Sequence, residues 1–217
     1  NVKVIFAIDR GGLVGEDGPT HHGSFDISYL RLVPNLTIMA PKDENELQHM
    51  LYSALKYQGP VAIRYPRSAG EGVSMDWDFK EIPYGKAELI KDGKDLTIIA
   101  IGNMVYQALK AAKELEREGK SIAVINARFV KPLDEELILD YAKKTGKIIT
   151  VEENTLIGGF GSAICELLAD KNISVKIKRI GLPDKFIEHG DLKTLKIKYG
   201  LTSEEIKKIA LELLNSQ

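Results

Sequence analysis

Asp17 and His21 stand four residues apart in one glycine-rich stretch, with His22 adjacent. A carboxylate beside an imidazole can fix the ring's tautomer and hold its pKa near working pH, as general acid–base chemistry requires. The alternative is a hydrogen-bonded loop in which the same pair only fixes shape. Metal binding is disfavoured, because adjacent histidines point their rings apart and no third ligand is evident. Two arginines form a second candidate group. Arg10 ends the first apolar run, and Arg67 follows the run Val61–Tyr65. If both runs are strands of one parallel sheet, the two guanidinium groups share its carboxyl edge and can grip a phosphate by paired charge-assisted hydrogen bonds. The alternative pairs each arginine with a nearby carboxylate such as Asp9 or Glu71. The third candidate, Gly158-Gly159-Phe160-Gly161-Ser162, follows an apolar run and opens a helical pattern. It looks like a strand–loop–helix phosphate cradle. It fails G-x-G-x-x-G at Ile164, however, and lacks the Lys-Ser/Thr of a P-loop, so a tight-packing turn is the better reading. Cys165 falls on an apolar helix face and reads as core filler.

The elements that must hold these residues follow from the apolar pattern. Val4–Ile8 is a continuous apolar run, expected as a buried strand. The loop Asp9–Gly23 carries five glycines and a proline, which forbid regular structure. A short helix near 26–32, a strand 36–39, a helix from Pro41 to about Tyr57 and a strand 61–65 complete a β-α-β-α-β alternation, the pattern of a parallel sheet. The helix is expected to bury Leu47, Met50, Leu51, Ala54 and Leu55. Residues 68–83 show little periodicity and read as a linker. Beyond them, strands are expected at 86–90, 96–101, 121–125, 147–151 and 175–180, with helices at 104–118, 134–144, 162–169 and 203–214. Helix 104–118 aligns Ala108, Leu109, Ala112 and Leu115, and Gly119 supplies its stop.

Composition limits the alternatives. The 217 residues carry 30 basic and 31 acidic side chains, a balance that argues against a dedicated nucleic-acid binder and a polybasic membrane anchor. No apolar run of about 18 residues is present, so no bilayer span is expected. One cysteine excludes an internal disulfide, and a reducing, cytoplasmic setting is expected. The chain opens at Asn1, without Met, at the edge of an apolar run. This predicts a processed or truncated chain.

Gly15-Glu16-Asp17-Gly18-Pro19-Thr20-His21 resembles the GEDGPTH signature of transketolase-like thiamine diphosphate enzymes. Asp9–Val14, His21–Arg31, Ala40–Glu46, Ala62–Arg67, Asn126–Asp134 and Ile180–Asp184 narrow the resemblance to the 1-deoxy-D-xylulose-5-phosphate synthases. It runs in order along nearly the whole chain. It implies an α/β fold: residues 1–70 as the later part of a Rossmann-like pyrimidine-binding domain, 71–83 as linker, and 84–217 as a complete three-layer transketolase C-terminal domain. It also implies a homodimer that joins pyruvate to glyceraldehyde 3-phosphate, releasing carbon dioxide and a precursor of isoprenoids, thiamine and pyridoxal. His21 and Asp17 resemble the family's substrate-contacting pair, and Arg10 and Arg67 its phosphate-gripping arginines. The Gly-Asp-Gly motif that holds the thiamine diphosphate and Mg²⁺ has no match here, so the main cofactor residues, and any metal site, are expected outside this chain. A fragment of this kind is expected to be inactive alone. Two rival enzyme readings share the strings Lys131-Pro132-Leu133-Asp134 and Val151-Glu152-Glu153. They are the β subunit of a 2-oxo-acid dehydrogenase E1 component and a split transketolase. A rival of another class is a non-catalytic dimerisation module.

Overall fold

The computed structural model describes residues 2–216. Two sheets organise it. The first contains β1 (Ile5–Ile8), β2 (Thr37–Met39) and β3 (Val61–Arg64) in the parallel order β1-β3-β2. Helices α1 (Asp26–Leu30) and α2 (Glu44–Ala54) make the connections, so the expected alternation is present. The second sheet contains β4 (Glu88–Lys91), β5 (Leu96–Ala100), β6 (Ile122–Asn126), β8 (Lys147–Thr155) and β9 (Lys176–Leu182), in the order β4-β6-β5-β8-β9. Its pairings are parallel apart from β4 against β6. Helices α3 (Met104–Arg117), α4 (Glu135–Thr145), α5 (Phe160–Asp170), α6 (Leu192–Lys198) and α7 (Ser203–Asn215) complete this part.

One strand crosses between the two parts. β7 (Phe129–Lys131), from the later half of the chain, pairs antiparallel with β2, setting Ile38 opposite Lys131 and Met39 opposite Phe129. Three residues are too few to show a period in sequence, and this strand was not expected. Phe129 is fully buried and packs with Met39, Met50, Tyr57, Val61 and Ile63.

α3 buries Met104, Val105, Ala108, Ala111, Ala112 and Leu115, while Leu109 packs at the margin of that core. Gly119 takes φ +77 just past the helix end, a left-handed conformation that glycine adopts without steric cost. α2 departs from expectation. It buries Glu46, His49, Met50, Ser53 and Ala54, whereas Leu51 and Leu55 of the expected stripe are exposed.

The polar residues on α2 bind the segment read as a linker, apart from Glu46, which accepts from Asn126 and Arg128. The Glu44 carboxylate accepts the N–H groups of Glu71, Gly72 and Val73. Asn45 Oδ1 accepts the Asp76 N–H, His49 Nδ1 accepts the Lys80 N–H, and Ser53 Oγ accepts the Ile82 N–H. Residues 71–82 contain no helix or strand, yet they are fastened along the helix.

β8 continues four residues past its expected end. Glu152, Glu153, Asn154 and Thr155 are all buried. Polar residues stay in this central strand because each of the first three finds partners. Asn154, for instance, accepts the Ile27 N–H and donates to Ser28 Oγ. A buried polar group with its hydrogen bonds made carries little penalty.

Candidate functional site

The loops leaving the carboxyl ends of β1 and β3 lie side by side, since Ile8 sits opposite Arg64. This is the edge of an open α/β sheet at which ligands bind. The loop 9–23 is closed on itself at its base. Gly12 donates to the Gly23 carbonyl, and the Gly23 N–H reaches the carbonyls of Arg10 and Gly12. Gly23 has no room for a side chain, because a Cβ there would lie 2.3 Å from the Arg10 carbonyl oxygen. Within this frame Arg10 adopts φ +57, a left-handed conformation that is costly for a non-glycine residue and persists where surrounding bonds impose it.

Three of the four expected site residues converge. Asp17 leaves a 3-10 turn, Gly15–Asp17, and its carboxylate Oδ2 lies 3.7 Å from Arg10 Nε and in direct contact with Arg67 Nη1. The two guanidinium groups therefore face one anion. Arg10 also approaches Asp9, at 4.0 Å. All of these side chains keep some exposure, with about half of Arg67 in solvent, although Arg10 Nε and Asp17 Oδ2 are themselves buried.

His21 is placed differently from the expected Asp17–His21 pair. Its Nδ1 lies 3.0 Å from Thr20 Oγ1, and the ring is exposed. The ion-pair partners of Asp17 are the arginines. His22 does a structural task. Its Nδ1 accepts the Val14 N–H at 3.0 Å, which leaves Nε2 to donate to the Glu188 carbonyl at 3.2 Å.

Beneath the loop lie residues that sequence reasoning had not singled out. Arg64 is 5% exposed. Its Nε donates to Asp26 Oδ2, and its Nη2 to the carbonyls of Gly23 and Glu153, all at 2.8 Å. It thus welds the loop's end to β8. The signal for it was present, since a charged residue inside Val61-Ala62-Ile63 context ends a run that is otherwise fully apolar.

The glycine-rich start of α5 is filled from within. The Glu152 carboxylate accepts the Phe160 and Gly161 N–H groups, one on each oxygen, both at 2.7 Å. A Cβ on Gly159 would lie 2.3 Å from Glu152 Oε2, and one on Gly161 2.6 Å from Thr150 Oγ1. The tight-packing reading of this turn holds, and its donors are already used. Burial pushes the Glu152 carboxyl up to about 7, against the opposing pull of the two N–H groups. Cys165 is half-buried, and burial raises its thiol pKa, which keeps it in the unreactive thiol form.

Comparison with known proteins now decides the family. Residues 1–71 match the family model for the transketolase pyrimidine-binding domain, and residues 85–206 match that for the transketolase C-terminal domain. The chain belongs to the transketolase family. Two curated relatives carry the same name, 1-deoxy-D-xylulose-5-phosphate synthase. One, from Heliobacterium modesticaldum, is 55% identical over 213 residues, covering 98% of this chain and 33% of its own. The other, from Pelotomaculum thermopropionicum, is 58% identical over 215 residues, with the same two coverages. The chain spans about a third of the length of these relatives. A solved transketolase-family structure, described as a split gene transketolase, inactive beta4 tetramer, superposes with a TM-score of 0.86 at 32% identity. The match covers 97% of this chain and 67% of that one. The α/β fold expected from sequence is therefore that of the transketolase family. No helix among the described residues is long and apolar enough to cross a membrane.

Proposed function

We propose that this chain forms the acceptor-binding wall of a thiamine diphosphate-dependent 1-deoxy-D-xylulose-5-phosphate synthase, which condenses pyruvate with glyceraldehyde 3-phosphate and releases carbon dioxide. The observation that carries this reading is the convergence of Arg10 and Arg67 on one carboxylate at the sheet's carboxyl edge. Two guanidinium groups about an anion suit a phosphate monoester. They have no purpose toward a lipoyl arm, the acyl acceptor of a 2-oxo-acid dehydrogenase. In this role Arg10 and Arg67 hold the acceptor phosphate. Asp17, displaced from them, turns to a substrate hydroxyl, and exposed His21 binds or moves a proton at the reacting oxygen.

Thiamine diphosphate accords with a pyrimidine-binding domain, and Mg²⁺ belongs to the same proposal. The residues present do not fit the diphosphate. The turn most like a phosphate cradle has its N–H groups bonded to Glu152. Among the described residues, no group of three or more His, Cys, Asp or Glu could hold a metal ion. No residue of this chain is assigned to either group. Homodimerisation, a cytoplasmic setting and the division into 1–70, 71–83 and 84–217 complete the reading.

The test is Arg67→Ala in an enzyme that carries this chain within its full length. Loss of a charge-assisted phosphate contact of about 1.5–3 kcal/mol raises KM for glyceraldehyde 3-phosphate about tenfold or more, with KM for pyruvate little changed. Unaltered acceptor kinetics would make Arg67 structural. The isolated chain is expected to be inactive, since none of its residues is assigned to the diphosphate or to Mg²⁺. Product above a no-protein blank, with pyruvate, glyceraldehyde 3-phosphate, thiamine diphosphate and Mg²⁺ supplied, would sink that expectation.

A further inference from the structure

Glu153 is 1% exposed, and its bonds span both parts of the molecule. Oε1 accepts the Leu13 N–H at 2.8 Å. Oε2 accepts from Asn103 Nδ2 at 2.6 Å and lies 3.5 Å from the Lys196 ammonium. Leu13 comes from the glycine-rich loop, whereas Asn103, Lys196 and Glu153 itself come from the second sheet and its helices. The loop answers in shape. Gly12, at φ +85, brings its backbone so close that a Cβ would sit 2.6 Å from Glu153 Cδ. The Leu13 side chain, 2% exposed, is part of the apolar core around Met104, Val151 and Ile187. Leu13 is thus held by side chain and by backbone, and its backbone hold is a buried, charge-assisted bond, a strong class of hydrogen bond.

Three residues before this anchor stands Arg10, and four residues after it stands Asp17. Leu13 is the fixed point between the two loop residues that form the arginine–carboxylate cluster. We propose that Glu153 is a positioning residue. By holding the Leu13 N–H, it keeps the loop in the form that brings Arg10 toward Arg67, so the second sheet sets the geometry of an anion site on the first. This inference rests on the proposed phosphate-binding role of the two arginines for its functional consequence, and on the Leu13 bond alone for its structural one.

The experiment uses this 217-residue chain with inorganic phosphate as the probe. Amide hydrogen exchange is read at Leu13, and phosphate affinity is read from the Nε–H resonances of Arg10 and Arg67. Glu153→Ala is expected to speed Leu13 exchange about ten- to hundredfold. Ile98 exchange stays as it is, and phosphate affinity falls about tenfold because the competent loop is less populated. Glu153→Gln retains an oxygen for the Leu13 N–H but turns its amide NH₂ on the Asn103 and Lys196 donors. Paired with Asn103→Asp, which supplies an acceptor for that amide and a partner for Lys196, it restores both values most of the way. Gly12→Ala perturbs the same contact from the loop side and reproduces the Glu153→Ala pattern even if the latter fails to fold. Unchanged Leu13 exchange in Glu153→Ala would overturn the proposal. So would faster exchange with undiminished phosphate affinity, or a Glu153→Gln/Asn103→Asp variant as damaged as the alanine one. If the unaltered chain shows no phosphate binding, the arginine assignment fails, while the Leu13 exchange still decides whether Glu153 holds the loop.

Discussion

Two glycine-rich segments follow parallel strands in this molecule, and they have opposite fates. The turn 158–162 has its helix N–H groups closed by the Glu152 carboxylate from inside the fold. The loop 9–23 also gathers around a carboxylate, Asp17, but its partners are the part-exposed side chains of Arg10 and Arg67. Glycine content is the same kind of signal in both. What separates them is whether the donors are backbone groups fixed on a buried acceptor or part-exposed side chains that can turn to another anion. A site is a place where the protein's own anion can be exchanged for another.

Several measurements bear on that contrast. The largest effect is expected from Glu152→Ala, which strands two buried N–H groups and opens a void. A loss of about 3–5 kcal/mol, read by chemical denaturation, is expected. A loss under about 1 kcal/mol would mean that water replaces the carboxylate, and the two segments would then be alike.

Next comes pH. The fold raises the Glu152 carboxyl to about 7, so the folded state favours its protonated form. The resulting stability is fully present below the ordinary glutamate value and is lost as pH rises through about 7. The span corresponds to about 3 kcal/mol. Melting temperature should fall between pH 5 and 8, and Glu152→Gln should flatten that slope. A pH-independent melting curve for the unaltered chain would refute the burial argument. Surface carboxylates act in the opposite sense and lower. The Lys80 ammonium beside Asp76 holds its carboxyl down to about 2, so any loss from that pair belongs to strongly acid solution.

A smaller effect is expected at the open site. Asp17→Asn removes the internal competitor, so inorganic phosphate should bind the isolated chain about tenfold more tightly. Weaker binding would show that Asp17 organises the arginines rather than competing with the ligand. Smallest of all is the stability change from Arg67→Ala, within about 0.5 kcal/mol, as for an exposed residue. The same measurement on Arg64→Ala should give several kcal/mol, since its partners Asp26 and Glu153 are buried.

The alternation of strands and helices was legible because apolar runs alternate with 3.6-residue stripes, and the arginine pair was legible because each follows such a run. The misses share a cause, which is that buried polar residues mimic surface ones. On α2, Glu46, His49 and Ser53 look solvated in sequence but hold residues 71–82 and the buried end of β6, where Asn126 donates to Glu46. That shifted the expected stripe, keeping Met50 and Ala54 buried but sending Leu51 and Leu55 outward. Glu152 and Glu153 follow the expected strand end at Val151, yet they lie within the strand and bond to Phe160, Gly161, Leu13 and Asn103. Asp17 found its partners across the chain at Arg67, not four residues away at His21, because the 3-10 turn aims it toward β3. α6 escaped notice because Leu192-Lys193-Thr194-Leu195-Lys196 buries little beyond Leu195.

The crossing of β7 into the first sheet has a consequence for how the chain can be divided. Ile38 and Lys131 pair across the intervening sequence, so the covalent connection through residues 71–82 is not what joins the halves. A protease cut near Gly72, in a stretch that lies exposed, should leave two peptides that travel together on a sizing column. Made separately and mixed, they should reassemble, whereas the first peptide alone, lacking Phe129 in its core, should remain unfolded.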